Sequence, residues 1–173
     1  MKLSAKPPTR RQVLSRAALL ALAPLGLAAC ERTVEPAPAA ATAVPGPFAQ
    51  VWKTPTCGCC KAWVEHLQSA GFTVQTRDVP STDAMRAELG MPVAMASCHT
   101  ALIGGFVVEG HVPAREIQRL LAEPRAATAD VLGLSVPGMP IGSPGMEMGE
   151  QRDKYNVMLV LKNGQSRVYQ SYT

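Results

Sequence analysis

The stretch Thr54-Pro55-Thr56-Cys57-Gly58-Cys59-Cys60-Lys61-Ala62-Trp63-Val64 decides both the fold and the chemistry of this chain. Upstream of it, Ala49-Gln50-Val51-Trp52 reads as a short strand. From Cys60 onward the apolar residues Cys60, Trp63, Val64 and Leu67 fall at i, i+3, i+4 and i+7, the period of an amphipathic helix, and Gly71 ends it. Three thiols are therefore crowded into a strand-to-helix turn.

Working outward, Phe72 to Thr76 alternates like a strand. Ser81 or Thr82 is placed to cap a short helix through Leu89, which Gly90 closes. His99 to Ile103, Gly104-Gly105 and Phe106 to Glu109 predict a hairpin with a glycine turn. Pro113 opens a further helix with Ile117, Leu120 and Leu121 on one face. The order strand, cysteine turn, helix, strand, helix, hairpin, helix predicts an α/β, thioredoxin-like fold. That fold keeps its working thiols at the first strand-to-helix turn. Two features are added to it. Val136 to Met148 is a loop of Pro, Gly and Met, and Val157 to Leu161, Asn163-Gly164 and Ser166 to Tyr172 form a C-terminal β-hairpin.

The ends of the chain divide it further. The net charge of +4 suggests a basic protein, but residues 1–29 hold five basic residues and no acid. The remainder carries 12 Lys and Arg against 13 Asp and Glu, with no basic cluster, so a nucleic-acid-binding face is excluded. Residues 1–29 read as a signal peptide. Thr9-Arg10-Arg11-Gln12-Val13-Leu14 is a twin-arginine pattern with Val13 where Phe is usual, and Ala17 to Ala29 is an apolar run too short to span a bilayer. The run ends Leu27-Ala28-Ala29-Cys30, a lipobox-like sequence that makes Cys30 the expected lipidation site. A plain secretory signal and an uncleaved anchor are the alternatives. Residues 30–47 are a Pro/Ala linker without large apolar side chains, and residues 48–173 are the expected folded, metal-binding domain. The expected location is the periplasm, lipid-anchored to a membrane.

With Cys30 set aside, Cys57, Cys59, Cys60 and Cys98 remain. Neither Cys59 with Cys60 nor Cys57 with Cys59 pairs without strain, whereas Cys57 and Cys60 have CxxC spacing and can pair. Clustered thiols suit a soft metal, and thiolate and thioether ligands select Cu(I), zinc or iron–sulfur clusters. Gly58 is expected to relax the backbone so that neighbouring sulfurs converge, and a helix start at Cys60 favours thiolate there. Cys98 enters the hairpin where a thioredoxin-like fold faces its CxxC turn and usually carries a cis-proline, so it reads as a ligand on the opposite wall. His99 is a ligand or a polar strand-edge residue, and His111 a ligand or a loop residue. His66 lies off the apolar stripe of its helix and reads as solvated. Met139 and Met146, in a loop with little core to fill, read as thioether ligands or capture sites, with Met148 a weaker candidate. Met158, Met85, Met91 and Met95 default to core packing.

At Lys53 to Trp63, Ser97-Cys98-His99-Thr100-Ala101, Glu109-Gly110-His111-Val112-Pro113 and Val136 to Glu147, the chain resembles the CopG-like periplasmic proteins of bacterial copper-resistance operons. The resemblance spans most of Val51 to Tyr172 and leaves out the leader, the linker and Cys30. It implies a thioredoxin-like fold, copper bound through the CxCC cysteines with the downstream Cys, and copper handling outside the cytoplasm. It also raises the standing of His111 and of the methionine loop. The expected function is a copper-binding protein holding Cu(I), as one ion or a small thiolate-bridged cluster, with metal binding preferred to a copper oxidoreductase activity. The expected partners are copper ions, other periplasmic copper carriers or exporters, and the membrane through Cys30. The alternatives are a thiol–disulfide oxidoreductase using Cys57 and Cys60, and a zinc-stabilised interaction module.

Overall fold

The computed structural model describes residues 46–173; the predicted leader, the lipidation site Cys30 and nearly all of the linker lie outside them. The elements are β1 (Phe48–Lys53), α1 (Gly58–Ser69), β2 (Thr73–Asp78), α2 (Asp83–Glu88), a 3₁₀ turn at Val93–Met95, β3 (His99–Ile103), β4 (Phe106–Glu109), α3 (Ala114–Ala122), β5 (Val131–Ser135), β6 (Tyr155–Leu161) and β7 (Ser166–Tyr172). This is a mixed α/β fold whose seven strands form one sheet in the order β2-β1-β3-β4-β5-β6-β7. β1 and β2 pair in parallel, β1–β3 and β3–β4 are antiparallel, and β4–β5 is again parallel. Among the described residues no helix is long and apolar enough to cross a membrane.

The strands alternate as a sheet covered on both faces requires. Ala49 and Val51, Ala101 and Ile103, Phe106 and Val108, and Val157 and Leu159 turn to one face, where they pack with Trp63, Val64 and Leu67 of α1 and Ile117 and Leu120 of α3. On the other face Val107 and Val160 meet Met91, flanked by Leu89, Met95, Leu102 and Leu132. The predicted stripe of α1 is the observed one: Cys60, Trp63, Val64 and Leu67 are its buried residues. Trp63 is fully buried, and its indole Nε1–H donates to the Val112 carbonyl at 2.9 Å, which ties α1 to the segment leading into α3.

β5 is absent from the sequence reading. A register shift between Val131 and Gly133 lets Val131 and Leu134, three residues apart, face the same core. Gly133 is required there because a Cβ would stand 1.7 Å from the Val107 carbonyl oxygen. The two strands of the predicted C-terminal hairpin are therefore β6 and β7 of the main sheet, joined through β5 rather than hung outside it. The methionine loop, residues 136–154, connects the antiparallel neighbours β5 and β6.

Candidate metal centre

Cys57 is the N-cap of α1, and its sulfur accepts from the Cys60 amide at 3.3 Å. The helix thus starts at Gly58, two residues before the position predicted from Cys60. Gly58 lies in its first turn with open space where a Cβ would be, so the expected backbone role of this glycine is not needed. Cys57 and Cys60 form a disulfide across this turn, with Cα atoms 5.3 Å apart, while Cys59 and Cys98 are free. In this state two of the four expected thiolates are engaged with each other.

Cys98 faces the turn from the position immediately before β3. Its Sγ lies 3.9 Å from Cys59 Sγ, which in turn is 3.4 Å from Cys57 Sγ. Its carbonyl lies 3.6 Å from Cys60 Sγ. The sulfurs of Cys57, Cys59, Cys60 and Cys98 all stand within 4.8 Å of one another, close enough to share a metal. A second group, Cys98 with His99 and His111, meets the same limit. Cys98 is the member common to both.

The two histidines differ. His111 Nδ1 lies 2.8 Å from the Pro144 carbonyl, which only accepts, so Nδ1 carries the proton. Its Nε2 lone pair then points at Cys98 Sγ, 3.0 Å away. A backbone carbonyl that fixes the tautomer of a histidine is what prepares an imidazole to bind a metal. His99 Nδ1 is 3.3 Å from the same sulfur, its ring lies 4.3 Å from that of Trp63, and its Nε2 is buried with no hydrogen-bond partner among the described residues. Burial lowers both imidazoles, His99 to about 3 with the neighbouring His111 adding to the effect, so both are neutral and able to ligate. Burial, with the adjacent Cys59 thiol, pushes Cys98 up to about 12, so in the absence of metal it holds its proton. A bound soft cation displaces that proton.

Lys53 and Lys61 contribute little field here. Lys53 is paired with Asp78 at 2.7 Å, and Lys61 is 76 % exposed beside Glu65. His66 is half-buried rather than solvated: its Nε2 accepts from the Ala114 amide at 3.0 Å, at the start of α3. A cleft of about 440 Å³ is lined by Pro144, His66, Arg115, Glu147 and Tyr155 among others, and no cysteine or methionine lines it.

The methionine loop is stitched to both walls. The Gly138 amide donates to Ala96 O at 3.0 Å, Ser97 Oγ donates to Gly138 O, and Gly145 packs against the first turn of α1. Met139, 53 % exposed, follows the first of these anchors, and half-buried Met146 follows Gly145. Met148 is exposed, while Met91 is core.

Residues 95–146 match a family described as a protein of unknown function, DUF411. That segment holds Cys98, His99, His111, Met139 and Met146, but not the CxCC turn. No curated protein matches the chain in sequence. Among solved structures, the copper resistance protein CopG in its form 2 is 42 % identical with a TM-score of 0.69, over 74 % of this chain and 99 % of that one. Form 1 is 43 % identical with a TM-score of 0.67, over 75 % and 98 %. This chain belongs to the CopG family of copper resistance proteins. Within this CopG-family chain, sequence reasoning overlooked the residues behind the candidate ligands: Pro144, whose carbonyl sets His111, and the buried Arg86 and Glu109. A charged residue closing the apolar strand Phe106-Val107-Val108-Glu109 was the available signal for the last of these.

Proposed function

We propose that this chain binds copper as Cu(I) and acts in copper handling or resistance. The observation that carries this reading is the position of Cys98, whose sulfur lies 3.9 Å from Cys59 Sγ and 3.0 Å from the preset Nε2 of His111. Thiolate sulfur and neutral imidazole form a soft donor set that suits Cu(I). Reducing the Cys57–Cys60 disulfide frees two more sulfurs, and bridging thiolates then support a multinuclear cluster. Met139 and Met146 cap the site or pass copper on to other carriers or exporters.

The same disulfide supports copper redox activity. Oxidation of the Cys57–Cys60 dithiol by two Cu(II) ions gives the disulfide, two Cu(I) ions and two protons, so the step balances in electrons. Metal binding is the primary reading, and this step would add a copper oxidoreductase activity to it. A thiol–disulfide oxidoreductase acting on partner proteins is the second reading, favoured by a CxxC disulfide at the N-terminus of a helix. The strand order β2-β1-β3-β4, with the cysteines at the β1–α1 turn, supports a thioredoxin-like assignment for this part of the fold. The leader pattern and Cys30 support a periplasmic, lipid-anchored protein.

The test is a Cu(I) titration of the reduced domain against a strong competing chelator, with zinc as control. Tight binding lost in Cys59→Ser and Cys98→Ser is the expected result. Weak binding that both variants leave unchanged would sink the proposed site, and disulfide reductase activity needing only Cys57 and Cys60 would promote the second reading. Mass spectrometry of the mature N-terminus tests the anchor, and an unmodified start would end that part of the proposal.

A further inference from the structure

Behind Cys98 lies an ion pair that the metal chemistry does not itself use. Arg86 of α2 is 6 % exposed and Glu109 of β4 is fully buried. Arg86 Nε donates to Glu109 Oε1 at 2.8 Å. The same carboxylate oxygen accepts the Ser97 amide at 2.8 Å, and Arg86 Nη2 donates to the Ser97 carbonyl at 2.9 Å. The pair therefore takes both backbone polar groups of the residue immediately before Cys98. Glu109 Oε2 accepts from Thr100 Oγ1 at 2.7 Å, directly after His99, and Arg86 is completed by Thr82 Oγ1 at 2.9 Å and by Asp83.

A buried ion pair is a weak source of stability, because desolvating two charges offsets most of their attraction. Its placement here suggests a different use. Ser97 lies before β3 begins at His99, so no strand neighbour satisfies its amide and carbonyl, and each would be costly to bury alone. An apolar substitute of similar volume would leave both unpaired. Ser97 is also closed in from the far side, because a Cβ on Gly110 would stand 2.4 Å from Ser97 Oγ. That hydroxyl holds Gly138 of the methionine loop.

We propose that Arg86 and Glu109 are positioning residues for Cys98, clamping Ser97 so that the thiol stands between Cys59 and His111. The inference rests on Cys98 serving as a metal ligand, but its first two tests need no metal. In the wild-type protein the Ser97 amide, although outside the strands, exchanges with deuterium only as slowly as the amides of β3. Exchange at the rate of an open loop overturns the clamp. In metal-free Arg86→Lys and Glu109→Gln, with the Cys57–Cys60 disulfide intact, alkylation of Cys98 relative to Cys59 in the same molecule rises about tenfold as the segment opens locally. Arg86→Lys keeps the charge but loses the fork that reaches Glu109 and Ser97 together. An unchanged ratio alongside reduced stability assigns the pair a purely structural role and refutes the proposal. In the copper arm, Glu109→Gln weakens Cu(I) binding by about tenfold, as expected of a group one step behind a ligand. It has no further effect in a Cys98→Ser background. Equal losses in both backgrounds count against action through Cys98. If the wild-type protein takes no Cu(I) at these thiols, the functional reading fails, while exchange and alkylation still judge the clamp.

Discussion

Replacing Gly145 by alanine puts a methyl carbon where the structure has no room for one. Gly145 has φ +84°, and a Cβ there would stand 2.7 Å from both the Cys59 carbonyl oxygen and the Trp63 amide nitrogen, and 3.2 Å from Trp63 Cα. These are backbone atoms of the first turns of α1, so no side chain can swing aside. The left-handed backbone alone costs an L-residue about 1–2 kcal/mol, and the overlap adds about 1–3 kcal/mol. A second glycine separates the two effects. Gly149 has φ +59° with no atom near its missing Cβ, so Gly149→Ala carries only the backbone cost. Urea denaturation of the metal-free domain should place Gly145→Ala below Gly149→Ala by about 1–3 kcal/mol. If the loop instead lifts from α1 to relieve the overlap, the stability gap narrows, Met146 withdraws, and Cu(I) affinity falls in the competition assay. Matching behaviour of the two variants in both assays would refute the seating of the methionine loop on the cysteine turn.

His111→Gln removes the preset imidazole beside Cys98 and should weaken Cu(I) binding by about tenfold or more while the domain stays folded, read by chelator competition and circular dichroism. Trp63→Phe leaves the Val112 carbonyl without its buried donor and should cost about 1–3 kcal/mol in urea denaturation. The metal-free domain should lose stability on acidification from about pH 6.5 to pH 5. Burial lowers His66, His99 and His111, so the unfolded chain binds more protons in that window and stability rises with pH. His99, held at about 3, stays neutral throughout. The slope in His99→Gln should be shallower by about one proton, or about 1.4 kcal/mol per pH unit at most; an unchanged slope in urea midpoints refutes this. Cu(I) affinity should rise with pH, because binding must displace the proton from a Cys98 thiol raised to about 12, and a pH-independent affinity would contradict this.

Where a local pattern carried the information, the sequence could be read. The period of Cys60, Trp63, Val64 and Leu67 gave the buried face of α1, and Gly104-Gly105 placed the β3–β4 turn, where both glycines have positive φ. Cys98 was placed opposite the cysteine turn by its position just before β3. β5 was not legible, because Val131-Leu132-Gly133-Leu134-Ser135 breaks the alternation that marks a strand. Only the approach of Val107, more than twenty residues away, explains its glycine. His66 failed for a related reason: its partner is the Ala114 amide, supplied by another helix, and no pattern within α1 announces that contact. The pairing of Cys57 with Cys60 was open in sequence, since four clustered thiols allow both a metal-bound and an oxidised state. The ion pair behind Ser97 was hidden because its members lie on α2 and β4 and meet only through the tertiary fold.

Because β5 and β6 are antiparallel neighbours, with Ser135 opposite Met158, the methionine segment leaves and re-enters the sheet at adjoining points. As far as the sheet is concerned, it is therefore a cassette on a continuous frame, tied to the site only through Gly138, Pro144 and Gly145. Its length and thioether content can vary without altering strand order, since doubling a closed loop costs only about 0.6 kcal/mol. A different segment grafted between Ser135 and Tyr155 would keep the sheet, but it holds His111 in place only where it again offers the carbonyl that Pro144 supplies.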